Sequence, residues 1–406
     1  MATRTYRAEA FLKAASRLGL EVTVGTEVEQ LLASLTPGAT VALDFRHPRV
    51  AQRQIEAFVE RFPLDAVVGV DDDTAVLAAI AAEALGLPHN SVDSVKAARY
   101  KDVMRLVLSE TDLLTPRFEV FNLQEDPALV AERVHYPCVI KPLALSASRG
   151  VIRADDPASL KLALREVASV ISESELEPDD PAASQVLVED YIPGIEVALE
   201  GLLVAGQLTV LALFDKPDPL VGPYFEESIY VTPSRLPPDS QQAIREATSK
   251  AAMALGLHEG PIHAELRLND SGPWVVEIAA RSIGGFCSRS LRFGTETSLE
   301  EIILRQAARL DLGCLEREAQ PSGVMMIPIP RGGILFGVEG CDEAQAVPGV
   351  DEVRISIPLG QEIVPVPHGS KYLGFIYAHG ETPQAAEAAL REAHRRLTFH
   401  IRSPAD

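Results

Sequence analysis

Between Phe11 and Leu85 the chain alternates two hydrophobic periods, and this alternation narrows the possible folds more than any other feature. Phe11, Leu12, Ala15 and Leu18 recur at helical spacing within residues 6–18 and stop at Gly19, after which EVTVG reads as a short strand. VALDF (residues 41–45) and DAVVGV (65–70) are further strand-like runs, with helical spacing over 49–61 and 74–85 between and after them. Strands that alternate with helices build a parallel sheet covered by those helices, because a crossover must return each strand in the same direction. Such domains usually open on a strand, whereas here a helix comes first, so the expectation is a first strand upstream of Met1.

Past residue 95 the pattern changes. A helical segment over 95–111 carries Lys101, and LLTPRFEVF then turns at Pro116 into a strand. A lysine-bearing strand, a helix over 157–171, a polar hinge over 172–184 and the strand QVLVED follow, enough for a small lid. VALEGLLVAG and QLTVLALFDK read as a hairpin turning at Gly206, leading into the long proline-rich loop PDPLVGPYFEESIYVTPS. A helix over 238–256, two strands joined by a turn at 269–272 and a helix over 299–312 complete this unit. Short strands and an alanine-rich helix over 383–397 form the last. The fold class expected is a multidomain α/β and α+β chain. Its units are an N-terminal α/β domain over 1–94, a second over 95–312 with a lid at about 117–190, and an α+β domain over 313–406.

Composition excludes several functions. The 406 residues are 47% hydrophobic and 23% charged, which suits two or three packed domains. Thirty-seven basic against 58 acidic residues give a formal net charge of -21, a field that repels a nucleic-acid backbone. Cys138, Cys287, Cys314 and Cys341 are scattered without a CxxC pair and are expected as buried thiols. No apolar run is long enough to cross a bilayer, and MATRTYRAEA lacks the apolar core of a secretion signal, so a cytoplasmic location is expected. A homodimer is left open.

The chemistry begins at YPCVIKPLALSASRGV (residues 136–151). An apolar run delivers Lys141 beside a loop of small residues, Ser146, Ser148 and Gly150, whose backbone amides are open to close approach. One fixed cation plus several N–H donors suits a triphosphate, although small residues after Lys-Pro also serve as a plain turn. In VLVEDYIPGIEVALEG, Glu189 and Glu196 stand seven positions apart around a turn. They suit the amino group of an adenine and the hydroxyls of a ribose, or simply two solvated acids.

Glu265 in HAELRL and Glu277 in WVVEIAA lie twelve positions apart in apolar strands, where period-2 alternation lets both reach one face of a hairpin. Two carboxylates so placed repel unless a cation lies between them, and magnesium favours carboxylates shared with substrate phosphates. Four residues on, Arg281 precedes Ser282, Ile283, Gly284 and Gly285; its fork suits an acyl phosphate, or a structural salt bridge. His263 shares the strand face of Glu265, as a substrate contact or a satisfied core histidine. Glu226 and Glu227 in the long loop suit a substrate amino group, or are simply solvated.

In this order, Lys101, Lys141, the loop through Gly150, Glu189, Glu196, Glu265, Glu277 and Arg281 resemble the ATP-grasp superfamily across nearly the whole chain. The resemblance implies ATP with Mg2+, Mn2+ serving as a substitute. It puts nucleotide phosphates on Lys101, Lys141, Ser146, Ser148 and Gly150, with Lys96 on the same helix as a rival to Lys101. It puts adenine and ribose on Glu189, Asp190, Ile192 and Glu196, and metal on Glu265 and Glu277. FDKPDPLVGPYFEESIYVTPS, HAELRL and EIAARSIGG look like the L-amino acid ligase branch, relatives of dipeptide and carnosine synthases. That branch implies catalytic roles for Lys141 and Arg281, and amino acid substrates bound by Glu227, His263, Arg281, Gly284 and Gly285. Many members carry Asn two residues after the second metal glutamate; Ala279 stands there, a change that the ligase branch tolerates and that weakens a carboxylase, and a carboxylase or formate-dependent transformylase of the same superfamily is the alternative enzyme. Gly285 replaces bulk that would narrow the pocket. A nucleotide-binding subunit without chemistry is the alternative from another class.

Overall fold

The computed structural model describes residues 5, 7–28 and 37–403. Helix α1 (Ala8–Leu18) buries Phe11, Ala14 and Ala15 and ends at Gly19, whose φ of 67° is the left-handed C-terminal cap that glycine adopts without strain. Tyr6, the start expected for it, lies outside the described residues, and so does any strand upstream of Met1. Strands β1 (Val24–Thr26) and β2 (Thr40–Ala42) pair in parallel, with α2 (Pro48–Val59) and α3 (Asp72–Ala84) alongside. The run Asp65–Val70 does not become a strand. Its apolar side chains are used for burial, Val70 being 2% exposed, without a ladder partner among the described residues. The helix expected over 95–111 is two helices, α4 (Val92–Arg99) and α5 (Lys101–Ser109). Tyr100 breaks them with an extended backbone, and the Lys101 N–H donates to Leu143 O at 2.9 Å.

The lid is an antiparallel sheet in the order β3 (Phe118–Asn122), β6 (Gln185–Asp190), β4 (Cys138–Pro142), β5 (Ile152–Ala154). Helices α6 (Pro127–Arg133) and α7 (Pro157–Ser172) cover it around their own core, which includes Phe121, Ile140, Leu160 and Val167.

The large sheet is built from β7 (Ile195–Val204), β8 (Gln207–Lys216), β9 (Ile229–Thr232), β10 (Gly260–Asn269) and β11 (Gly272–Ala279), backed by α8 (Pro238–Ala254) and α9 (Leu299–Ala307). It continues through β12 (Ser322–Ile327), β14 (Val350–Ile355) and β16 (Gly374–His379) in the order β11-β10-β7-β8-β9-β12-β16-β14. A division at residue 312 therefore crosses hydrogen-bonded strands, since Ser322 to Met325 pair with Ile229 to Thr232. Beside it, β13 (Gly333–Glu339), β15 (Glu362–Ile363) and β17 (Thr398–Arg402) make a second small sheet, with α10 (Cys341–Gln345) and α11 (Pro383–Arg396) packed nearby.

Cys138 and Cys287 are buried as expected, but Cys314 is exposed and Cys341 half-buried. Cys314 falls in the irregular stretch between α9 and β12, where no element covers it. Among the described residues no helix is long and apolar enough to cross a membrane.

Candidate active site

The N-terminal unit, the lid and the large sheet enclose a cleft of about 1680 Å³. Every candidate residue read from the sequence lines it except Gly150 and Glu226. Gly150 instead sits behind the loop at φ 66°, where an added Cβ would meet Pro142 Cγ at 2.8 Å, so only glycine fits. Ala147 and Ser148 also hold positive φ, 56° and 55°, and turn the loop back over the cleft.

Lys141 reaches in from the end of β4 and contacts Glu189 Oε1 at the end of β6. The other Glu189 oxygen accepts from Arg105 Nε at 2.8 Å. Burial alone would push the Glu189 carboxyl up, but the two cations outweigh it and hold it at about 2. Glu189 is thus tied to two cations. Lys101 donates from Nζ to Leu145 O at 2.9 Å and lies 3.6 Å from Glu277 Oε2, so it links the loop backbone to a candidate metal carboxylate. Its rival Lys96 lines the same cleft from α4 with an exposed side chain. The hinge residues are engaged as well: Asp190 accepts from Arg117 Nε at 3.1 Å, and the Ile192 carbonyl accepts from Arg267 Nη1 at 2.9 Å.

Glu265 and Glu277 are direct partners in the β10–β11 ladder, with a register irregularity immediately after Glu265. Their side chains are 20% and 27% exposed, on the cleft side. This donor set, two neighbouring carboxylates facing an open cleft, fits magnesium, which takes few protein oxygens and leaves positions for phosphates. His263 stands opposite Glu200 in the β7–β10 ladder; its Nδ1 lies 2.8 Å from Glu200 Oε1 and its Nε2 3.5 Å from Glu265 Oε1. Burial would lower the imidazole, yet its bonds to Glu200 and Glu265 prevail and raise it to about 9.

Arg281 extends from the end of β11 and donates through Nε to Asp72 Oδ2 at 2.9 Å, with Nη2 also 2.9 Å from that oxygen; Asp72 lies in the first turn of α3. The Asp72 carboxyl, which burial would raise, is drawn down to about 2 by Arg281 and Arg99. A Cβ at Gly284 would meet nothing within 4 Å, whereas one at Gly285 would lie 3.3 Å from the Phe375 ring.

The structure adds residues the sequence reading missed: Arg105, Asp72, Glu200, Arg267 and Lys216. Lys216 closes β8 directly opposite Glu196, which also accepts from Arg267 Nε at 2.8 Å. A lysine ending an apolar strand in LFDKP was the available signal.

Comparison with known families agrees along the chain. Family models match residues 12–89 (ATP-grasp N-terminal domain), 134–290 (ATP-grasp domain) and 325–402 (L-amino acid ligase C-terminal domain 2). The crystal structure of L-amino acid ligase from Bacillus licheniformis superposes with a TM-score of 0.79 at 29% identity, over 97% of this chain and 96% of that one. N5-carboxyaminoimidazole ribonucleotide synthetase from Thermotoga maritima shares the fold at 15% identity and TM-score 0.70, covering 99% and 98%. Alanine–anticapsin ligase of Bacillus subtilis (strain 168) is 25% identical over 65% of this chain and 59% of its own length. Carnosine synthase 1 of Gallus gallus is 26% identical over 68% and 31%. The chain spans between 59% and 64% of the length of the first four curated relatives.

Proposed function

The chain belongs to the L-amino acid ligase branch of the ATP-grasp superfamily, and from that membership we propose that it joins the carboxylate of one amino acid to the amino group of another, with ATP giving ADP and phosphate. The observation that carries the reading is the pair Glu265 and Glu277, set opposite each other in a cleft that also holds Lys101, Lys141 and Arg281.

In this mechanism a substrate carboxylate oxygen attacks the γ-phosphorus of ATP, the bond to the β–γ bridging oxygen breaks and ADP leaves. The resulting acyl phosphate is attacked at its carbonyl carbon by the free amine. The C–N bond forms, phosphate departs with the electron pair of the C–O bond, and the nitrogen loses a proton. Lys141 and Lys101 serve the nucleotide phosphates, and Arg281 serves the charge that builds on the acyl phosphate. Glu265 and Glu277 would hold magnesium, which when bound neutralises charge on the phosphate oxygens. Glu227 serves the incoming amine. Burial pushes its carboxyl to about 7 despite the Lys216 ammonium beside it, so it can take up a proton at neutral pH. The small-residue loop from Ser146 excludes the water that would hydrolyse the intermediate. Ser148 and Gly150 belong to the same loop, and the lack of a side chain at Gly285 leaves room for a larger first amino acid.

A phosphate-release screen over pairs of amino acids, with mass analysis of the products, tests the reading. Release that depends on two amino acids, with a product of their summed mass less water, is expected. Stimulation by bicarbonate or formate instead would assign the chain elsewhere. Glu277→Ala should lower turnover by about a hundredfold or more, and near-normal turnover would remove Glu277 from the metal site.

A further inference from the structure

Lys216 is 3% exposed at its side chain, and its ammonium touches three carboxylates: Glu196 Oε1 at 2.8 Å, Glu265 Oε1 at 3.1 Å, and Glu227 Oε1. One oxygen from each of the three lies within 4.8 Å of the other two. Acids gathered this closely repel one another and cannot all stay ionised without a cation among them. Here the cation is covalently part of the chain. Burial would lower the Lys216 ammonium, and the three acids raise it well above its ordinary value.

The geometry of the stem makes this cation hard to displace. Lys216 is the last residue of β8, paired in register with Glu196, and its ammonium lies 5.1 Å from the Tyr230 ring centroid. It also stands where the loop over 217–228 leaves the sheet, while Glu227 stands where that loop returns. On the far side of Glu265 lies Glu277, its ladder partner, whose own nearby cation is Lys101. Glu265 therefore borders two acidic groupings, and the one shared with Glu277 adjoins the small-residue loop through Lys101.

We propose that Lys216 is a positioning residue: its ammonium is the resident cation of the Glu196–Glu227–Glu265 cluster, keeps a divalent ion out of it, and leaves Glu265 to bind metal only on the Glu277 side. The proposal rests on the ligase reading solely for which ligand each acid serves. Removing the ammonium should turn the cluster into a divalent-ion trap.

The test is Mn2+ binding to the full-length, nucleotide-free protein, followed by the electron paramagnetic resonance of the free ion. Lys216→Met should gain one Mn2+ site, bound about tenfold or more tighter than any in the unaltered protein, since affinity follows the number of charged ligands. Lys216→Arg should behave as the unaltered protein does. The added site should vanish in the Lys216→Met, Glu227→Gln double variant. Unchanged Mn2+ binding in Lys216→Met, or a gain that survives in the double variant, overturns the proposal. If Lys216→Met does not fold alone, its thermal unfolding with Mn2+ decides: a cooperative transition restored by the ion supports the assignment, and no rescue overturns it. The amino acid screen plays no part in this readout, so the ligase reading and the role of Lys216 stand or fall separately.

Discussion

Arg105 has one of the largest fully buried side chains in the protein, 1% exposed, and its charge is answered by Glu189, which shares its second oxygen with Lys141. Removing one member of such a group leaves a buried charge short of a partner, at a cost of about 3–5 kcal/mol. Arg105→Met should lose that much in denaturant unfolding. The acid limb should move too. The Glu189 carboxyl stands at about 2 folded against 4.5 ordinarily, so its stabilisation is present above about pH 4.5 and is lost as pH falls toward 2. Without Arg105 the folded value rises, and acid unfolding should begin at a higher pH; an unchanged midpoint would contradict the pairing.

At the scale of elements, the segment over 365–369 grips the lid. Pro367 O accepts from the Gly150 N–H at 2.9 Å and His368 O from Arg149 Nε at 3.2 Å, while the His368 ring lies 2.9 Å from Glu173 Oε2 and 3.2 Å from Glu166 Oε1, both on or just past α7. The bond to Glu173, with a further contribution from Glu166, raises the imidazole above its ordinary 6.5. The imidazole's share of the grip is therefore complete below about pH 6.5 and is lost as pH rises through the raised value, while the bonds to Pro367 O and His368 O persist. His368→Ala should speed amide exchange over 146–150 and raise KM for ATP about threefold to tenfold. KM of the unaltered protein should rise with pH through this range and that of the variant should not; identical exchange rates would refute the grip. The same scale explains two departures from the sequence. Val67, Val68 and Val70 satisfy burial without a neighbouring strand among the described residues, and Tyr100 breaks a helix because Lys101 must donate to Leu143 O. Hydrophobic spacing records that a side chain is buried, not what its backbone bonds to.

Across the whole molecule, the eight-stranded sheet joins chain segments that the composition divides. Ile229, Val231, Val324 and Ile376 are each 1% exposed or less across the β9–β12–β16 seam. Exposing four such side chains costs about 6–12 kcal/mol at roughly 1.5–3 each, close to the 5–15 kcal/mol that holds a typical domain together. A chain ended at residue 320 should show no cooperative thermal transition, and a cooperative melt would mean the last unit is dispensable. The sequence by itself determined the strand-borne Lys141, the glycine that lets the loop turn at 150, and the facing of Glu265 and Glu277. Each follows from local period, turn chemistry or a hairpin of fixed register, all written within about twenty residues. Only the tertiary structure decided that Glu189 is held by Arg105, that Arg281 is held by Asp72, and that Lys216 sits among three acids. These partners come from elements far apart in the chain. Their choice depends on which strands lie side by side and on the cost of leaving a buried charge unpaired, and no local pattern of residues encodes either.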